Sequence, residues 1–192
     1  MVIFAQKDIK VLECFCLVAN ESETHRDITI KKVVEKMSVS RQALNQLGYH
    51  NVDEIIQALR LYVDQPLQQK FETFVQHPNQ DWTLFIAEEI LPLLYENRDF
   101  FYTLYGGVAD PSWFPYLEKN YSQLVLPYFE HTQSNMGISS EFLAKLIVRQ
   151  VIAIFARWMR QEKPDSPSVF YKKFIYLMTH STDDLLKLEE QK

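Results

Sequence analysis

Apolar residues return along this chain at spacings of three and four, as in Leu143, Leu146, Ile147, Val151, Ile154, Phe155 and Trp158, while the strict alternation of a half-buried strand is nearly absent. The pattern predicts an all-α protein. A first helix is expected from about Ala5 to Val18, with Ile9, Leu12, Phe15 and Cys16 on one stripe, followed by the polar loop NESETHRD. Thr29 can then cap a second helix, its hydroxyl accepting a backbone N–H one turn on, with Ile30, Val33, Val34 and Met37 as the buried stripe. Ser40 caps a third, whose apolar positions Ala43, Leu44 and Leu47 leave Arg41, Gln42, Asn45 and Gln46 outward. Asn51 with Glu54 makes a capping-box-like start for a long fourth helix through Ile55, Ile56, Leu59, Tyr62 and Val63, which Pro66 is expected to kink or break.

Further on, a helix opening after Ser139 runs to about Gln161 and is apolar on more than one side, since Ile152, Ala153 and Ala156 lie off its main stripe. Ser166 and Pro167 suit the cap and first turn of a last helix carrying Val169, Phe170, Phe174, Ile175, Leu177 and Met178. Two wide-faced helices at the end of a chain either finish the monomer core or pack on their twofold mates as a four-helix bundle. For the second case the candidate dimer residues are Ile152, Ala156, Phe170, Phe174 and Leu177.

Between the two regions the chain is dense in rings, from Tyr95 to Phe129. They form either a plain aromatic core or the walls of a cavity for an apolar or aromatic effector. Candidate pocket residues are Arg98, Phe101, Tyr102, Tyr105, Trp113, Tyr121 and Phe155, with Asn97 as a further polar group. Gly106 and Gly107, followed by Asp110 and Pro111, read as a turn between helices, because no strand precedes them to build a phosphate cradle.

With 192 residues, 47% of them hydrophobic, the chain can bury a sizeable core. No apolar run reaches the roughly 18 residues of a membrane span, and the first residues lack the order of a signal peptide, so a cytoplasmic protein without membrane contact is expected. The five histidines are scattered, without H-E-x-x-H or C-x-x-C, so neither enzyme activity nor a metal or other cofactor is expected. Cys14 and Cys16, two apart on a helix, point to nearly opposite sides and form no disulfide or metal pair. The net charge is -5, yet residues 1–60 carry eight Lys/Arg against eight Asp/Glu, which puts the whole acid excess later in the chain. From Lys31 to Arg41 four cations face one acid, so this face can meet phosphates. Arg can bond guanine through two atoms and Gln or Asn can do so with adenine, which makes the outward side of the third helix chemically able to read bases.

The stretch ITIKKVVEKMSVSRQAL, followed by YHNVDEII, resembles the N-terminal helix-turn-helix of TetR-family transcriptional regulators, whose usual pattern is T-x-x-x-I-A-x-x-A-G-V-S-[KR]-G-x-[LIF]-Y and then F-x-[NS]-K-[DE]-E-L. Thr29, Val33, Val39, Ser40, Arg41 and Leu44 match the first block, and Tyr49, Asn51, Asp53, Glu54 and Ile55 the second. The chain departs from it at Val34 for a small Ala, Ser38 for the turn Gly, Asn45 for a phosphate-binding Tyr, Val52 for Lys, and Lys32 for a capping acid. Glu96, Asn97, Arg98, Phe101 and Trp158 resemble the C-terminal effector and dimerisation region of one branch of that family. The resemblance implies a DNA-binding head over 1–50 and an effector-binding and dimerisation domain over 51–192. It also implies a homodimeric regulator, in the usual case a repressor, on a palindromic double-stranded DNA operator, answering to a small-molecule effector. In that setting Arg41, Gln42 and Asn45 specify bases, Thr29, Lys31, Lys32 and Tyr49 hold phosphates, and Ser40 and Gln46 complete the face. The competing reading is a protein- or ligand-binding co-regulator whose degenerate helix-turn-helix does not read DNA.

Overall fold

A computed structural model describes residues 2–77, 79–131 and 137–186, and every described element is helical. In order they are α1 (Gln6–Asn20), a single 3-10 turn (His25–Asp27), α2 (Ile30–Met37), α3 (Arg41–Gln46), α4 (Val52–Val75) and α5 (Trp82–Phe85). A π-helical turn (Ile86–Ile90) joins α5 to α6 (Leu91–Glu96), and α7 (Arg98–Tyr105), α8 (Trp113–Glu130), α9 (Ser140–Met159), α10 (Pro167–Thr179) and α11 (Thr182–Leu186) follow.

The starts of these helices follow from short polar side chains. Thr29 Oγ1 accepts from the Lys32 N–H at 3.3 Å, Ser40 Oγ from Ala43 at 3.1 Å, Asn51 Oδ1 from Glu54 at 2.9 Å and Ser139 Oγ from Phe142 at 3.2 Å. Each supplies an acceptor to a backbone donor that has no partner inside its helix. Glu54 closes the start of α4 one residue earlier than a capping box would, since its carboxylate accepts from the His50 N–H at 2.6 Å. Ser166 occupies the cap position of α10, but its hydroxyl pairs with Ser168 Oγ at 3.1 Å and caps nothing.

Pro66, where a kink or break is expected, does not end α4, which holds 24 helical residues and passes through it. The ring removes one backbone N–H and costs about 3 kcal/mol. Val63, Leu67, Phe71 and Phe74 are all buried along one side of the same helix, and at about 2 kcal/mol per fully buried large side chain their packing outweighs that cost.

α2 ends at Ser38, whose φ of 57° and ψ of 41° lie in the left-handed region. The reversal lets the Val39 N–H return to the Val34 carbonyl at 3.1 Å and throws the chain into α3. A Cβ in that region costs about 1 kcal/mol, partly offset in glycine by greater unfolded-chain entropy, so Ser38→Gly is expected to stabilise by about 0.5 kcal/mol. Equilibrium urea titration would register this as a higher midpoint at unchanged slope, and a lower midpoint would refute the strain at this turn.

One core runs through the whole molecule. Val11, Leu12, Phe15, Val33 and Leu44 join it from the first three helices, and Ile55, Leu59 and Val63 carry it along α4 into the body. α1 is packed on two sides, against α2 on one and against α4 and α7 on the other. Cys14 and Cys16 are therefore both buried although they point apart, and burial pushes the Cys16 thiol up to about 12. Polar ties reinforce the join: Asn20 Nδ2 donates to Thr103 Oγ1 at 3.0 Å, and His25 Nδ1 lies 3.1 Å from the Val108 carbonyl.

Candidate functional site

The first candidate region is the outer face of α2 and α3. Thr29, Lys31, Lys32, Ser40, Arg41, Gln42, Asn45 and Gln46 are all exposed. Leu44, with no exposed surface, anchors α3 against the core and fixes which side of this six-residue helix looks outward. The side-chain amides of Gln42, Asn45 and Gln46 take part in no hydrogen bond among the described residues and are open to an outside partner. Arg41 donates Nη2 to the His50 carbonyl at 3.3 Å, which leans its guanidinium along the α3–α4 loop while its other N–H groups stay uncommitted.

The cations around it are held differently. Lys36 bonds Glu21 at 2.6 Å and Lys31 lies 3.9 Å from Glu35. Lys32 makes no ion pair among the described residues. Exposed pairs of this kind are worth less than about 1 kcal/mol, so Lys31 is easily given up to a phosphate. Tyr49, expected on this face, is a correction. It is 7% exposed and its hydroxyl donates to Asp8 Oδ1 at 3.1 Å. Burial and the Asp8 charge push that hydroxyl up to about 12, and its bond to Asp8 ties α1 to the α3–α4 loop.

The second region is an internal cavity of about 40 Å³. Of the expected pocket residues, Phe101, Tyr105, Tyr121 and Phe155 line it, together with Phe71, Trp82 and Ile152. Trp113 is fully buried behind them, 6.2 Å from the Tyr105 ring and stacked on Tyr116 at 5.6 Å. Arg98 and Tyr102 lie elsewhere. Arg98 sits 5.0 Å over the Tyr95 ring and donates to the Tyr95 carbonyl at 3.2 Å, and Tyr102 lies 4.2 Å beneath the Arg160 guanidinium. Helical period explains the split: positions 98 and 102 of α7 share one side, and 101 and 105 share another.

At the wall of the cavity stands a residue that the ring pattern did not single out. Asp64, 1% exposed, accepts from Tyr121 Oη at 2.6 Å on one oxygen, and from Tyr116 Oη at 2.6 Å and Gln68 Nε2 at 2.5 Å on the other. Burial pushes its carboxyl up, opposed by those three bonds and by Arg60 nearby. One turn earlier, Arg60 forks onto Asp110, with both contacts at 2.5 Å, and lies 5.0 Å over the Tyr116 ring. A sequence signal did exist, because positions 60, 64, 67 and 71 share one helical stripe and two of them are charged. Trp82 and Trp113 each bury an indole N–H without an acceptor among the described residues.

The expected dimer residues divide. Phe170 stacks on Trp158 at 4.3 Å, Phe174 packs on Phe155 at 6.1 Å and has no exposed surface, and Ile152 is 9% exposed at the cavity, so these three are spent on the chain's own core. Ala156 and Leu177 are half-buried. The apolar side chains that α9 and α10 leave uncovered are Phe142, Leu146, Val169 and Tyr176, each close to half exposed or more.

The described residues form an all-helical body joined through one long helix to a small capped helix-turn-helix. The family model described as the C-terminal region of TetR-type transcriptional regulators matches residues 80–180, more than half of the chain. The chain belongs to the TetR family of transcriptional regulators. No curated protein and no solved structure matches it. No described helix is long and apolar enough to cross a membrane.

Proposed function

We propose that this regulator binds a palindromic DNA operator as a homodimer and changes its affinity when a small molecule occupies the cavity beneath α4. The observation that carries the reading is the exposed face of α3. Arg41, Gln42, Asn45 and Gln46 project from a helix whose start is fixed by the Ser40 cap and whose inner side is anchored by buried Leu44. Thr29, Lys31 and Lys32 at the start of α2 supply the neighbouring phosphate contacts. Two such heads, held by their bodies, reach successive major grooves roughly 34 Å apart. Phe142 and Leu146 on α9 and Val169 on α10 form the apolar surface through which two copies pair. An effector acts by binding one arrangement of the body better than the other, and α4 connects that arrangement to the head.

Selection of the purified full chain on a random duplex library tests this. Enrichment of two half-sites in inverted repeat, with preference that survives a rise in salt, is the expected result. Binding that shows no preferred sequence and disappears as salt rises would instead favour a co-regulator whose head no longer reads DNA, the reading prompted by Val34, Ser38, Asn45 and Val52.

A further inference from the structure

The cavity beneath α4 has a chemical bias that its apolar lining hides. No charged side chain lines it among the described residues. Its walls are the rings of Phe71, Trp82, Phe101, Tyr105, Tyr121 and Phe155, filled out by aliphatic side chains. Tyr121 carries the one lining hydroxyl whose proton is committed, because it donates to Asp64 Oδ1 at 2.6 Å. An oxygen that has given its proton to a carboxylate offers only lone pairs to anything else, and the charge behind it strengthens them.

Among the described residues no cation is in contact with that charge. Arg60 is taken up by the fork onto Asp110 and by Ser112 Oγ. Two carboxylates, Asp64 and Asp110, therefore face one guanidinium in the interior. The excess negative charge sits at Asp64, directly behind the cavity wall. Three donors aimed at its oxygens, from Tyr121, Tyr116 and Gln68, favour the ionised form against the burial that pushes its carboxyl up. Tyr105 is a second tyrosine among the lining residues, and its hydroxyl takes part in no hydrogen bond among the described residues. In a poorly screened interior this arrangement attracts a cation and repels an anion, and aromatic faces around it attract a cation further.

We infer that the cavity takes a protonated amine carried on a slender apolar body, with the Tyr121 and Tyr105 oxygens accepting its N–H groups and Asp64 as the buried counter-charge. This rests on the reading of the cavity as the effector site. At about 40 Å³ the cavity is too small for an organic amine, so such a guest must part the rings, and a slender body parts them least. Parting them moves Tyr121, whose hydroxyl is bonded to α4 itself.

Calorimetric titration of the full-length protein without DNA, using phenylbutylamine, phenylbutanol and phenylbutyrate as probes, separates charge from shape because the three share one apolar body. The amine is expected to bind best and the carboxylate worst, with at least about tenfold between them. In Asp64→Asn, which keeps the shape and removes the charge, that gap should close while the alcohol binds as before. Equal or tighter binding of the carboxylate overturns the inference, as does failure of all three to bind, or an amine preference that survives in a folded Asp64→Asn chain. The wild-type ranking decides the matter by itself if that variant does not fold. Because no DNA is present, loss of the DNA-binding reading would leave this result standing, and an operator-binding protein indifferent to the amine would sink this inference alone.

Discussion

Asp110→Ala is expected to lower the unfolding free energy by about 3 kcal/mol, more than any exposed substitution in this chain should. Asp110 is 3% exposed and gathers four donors: two N–H groups of Arg60 at 2.5 Å each, the Ser112 N–H at 3.0 Å and the Ser112 hydroxyl at 2.9 Å. Truncation leaves the Arg60 guanidinium beneath the turn after α7 without the carboxylate it forks onto. Removing one partner of a buried pair costs about 3–5 kcal/mol, and the lower end applies because the Arg60 side chain is 21% exposed and water can reach part of it. Arg60→Leu combined with Asp110→Ala should recover much of the loss, since the penalty belongs to the orphaned charge more than to the missing contact. Urea unfolding of the single and double variants measures both effects. A loss under about 1 kcal/mol in the single variant would show that the pair is solvated and that α4 is not fastened to the body at this point.

The join at Arg60 illustrates what the sequence could and could not say. Local chemistry was legible wherever a short side chain acts on its own backbone, because such a bond spans three residues and needs no tertiary knowledge; the caps at Thr29, Ser40, Asn51 and Ser139 are all of this kind. The left-handed turn at Ser38 was legible in the same way, through the resemblance to a pattern that has glycine there. What needed the fold was the partner of each long side chain. Nothing in the spacing between Asp64 and Tyr121, 57 residues apart, announces their bond. Tyr49 was assigned to phosphate through the resemblance, yet the carboxylate that its hydroxyl bonds comes from α1, 41 residues earlier. Three of the expected dimer residues went to the chain's own core for a related reason. A helix apolar on several sides cannot reveal which side its own chain covers, and here Phe170 and Phe174 were claimed by Trp158 and Phe155.

The proposed coupling of the two regions runs through long-range ties of the same kind. α4 begins at the Asn51 cap beside the reading head and passes Asp64 at the cavity wall about three turns later. Asp64 and Arg60 bind side chains on α8 and on the loop before it, so a shift of either tie is a shift of α4. α1 constrains the other side of the head, through its packing on α7 and the Asn20–Thr103 bond. A head gripped from two sides can tilt only if the body's helices move, which is the physical requirement for an effector buried in the body to matter at the DNA.

Arg41→Ala is the substitution expected to separate base reading from charge on the proposed operator. Arg41 is exposed at the first turn of α3, steadied by the single bond to the His50 carbonyl, and its remaining N–H groups can fork onto the O6 and N7 atoms of a guanine. If it does so, the alanine variant loses about 1–3 kcal/mol on the selected sequence, and one base position in each half-site relaxes when the selection is repeated with the variant. Lys32→Ala provides the contrast. Its ammonium makes no ion pair among the described residues and stands at the start of α2, so its loss should weaken all duplexes to a similar extent and lower the slope of log affinity against log salt by about 1. Neither change should alter stability beyond about 0.5 kcal/mol, because both side chains are exposed. Titration of each variant against the selected duplex and a scrambled one, at two salt concentrations, distinguishes the roles. A uniform loss for Arg41→Ala, with no position relaxed, would make that residue another phosphate contact and leave base reading to Gln42, Asn45 and Gln46.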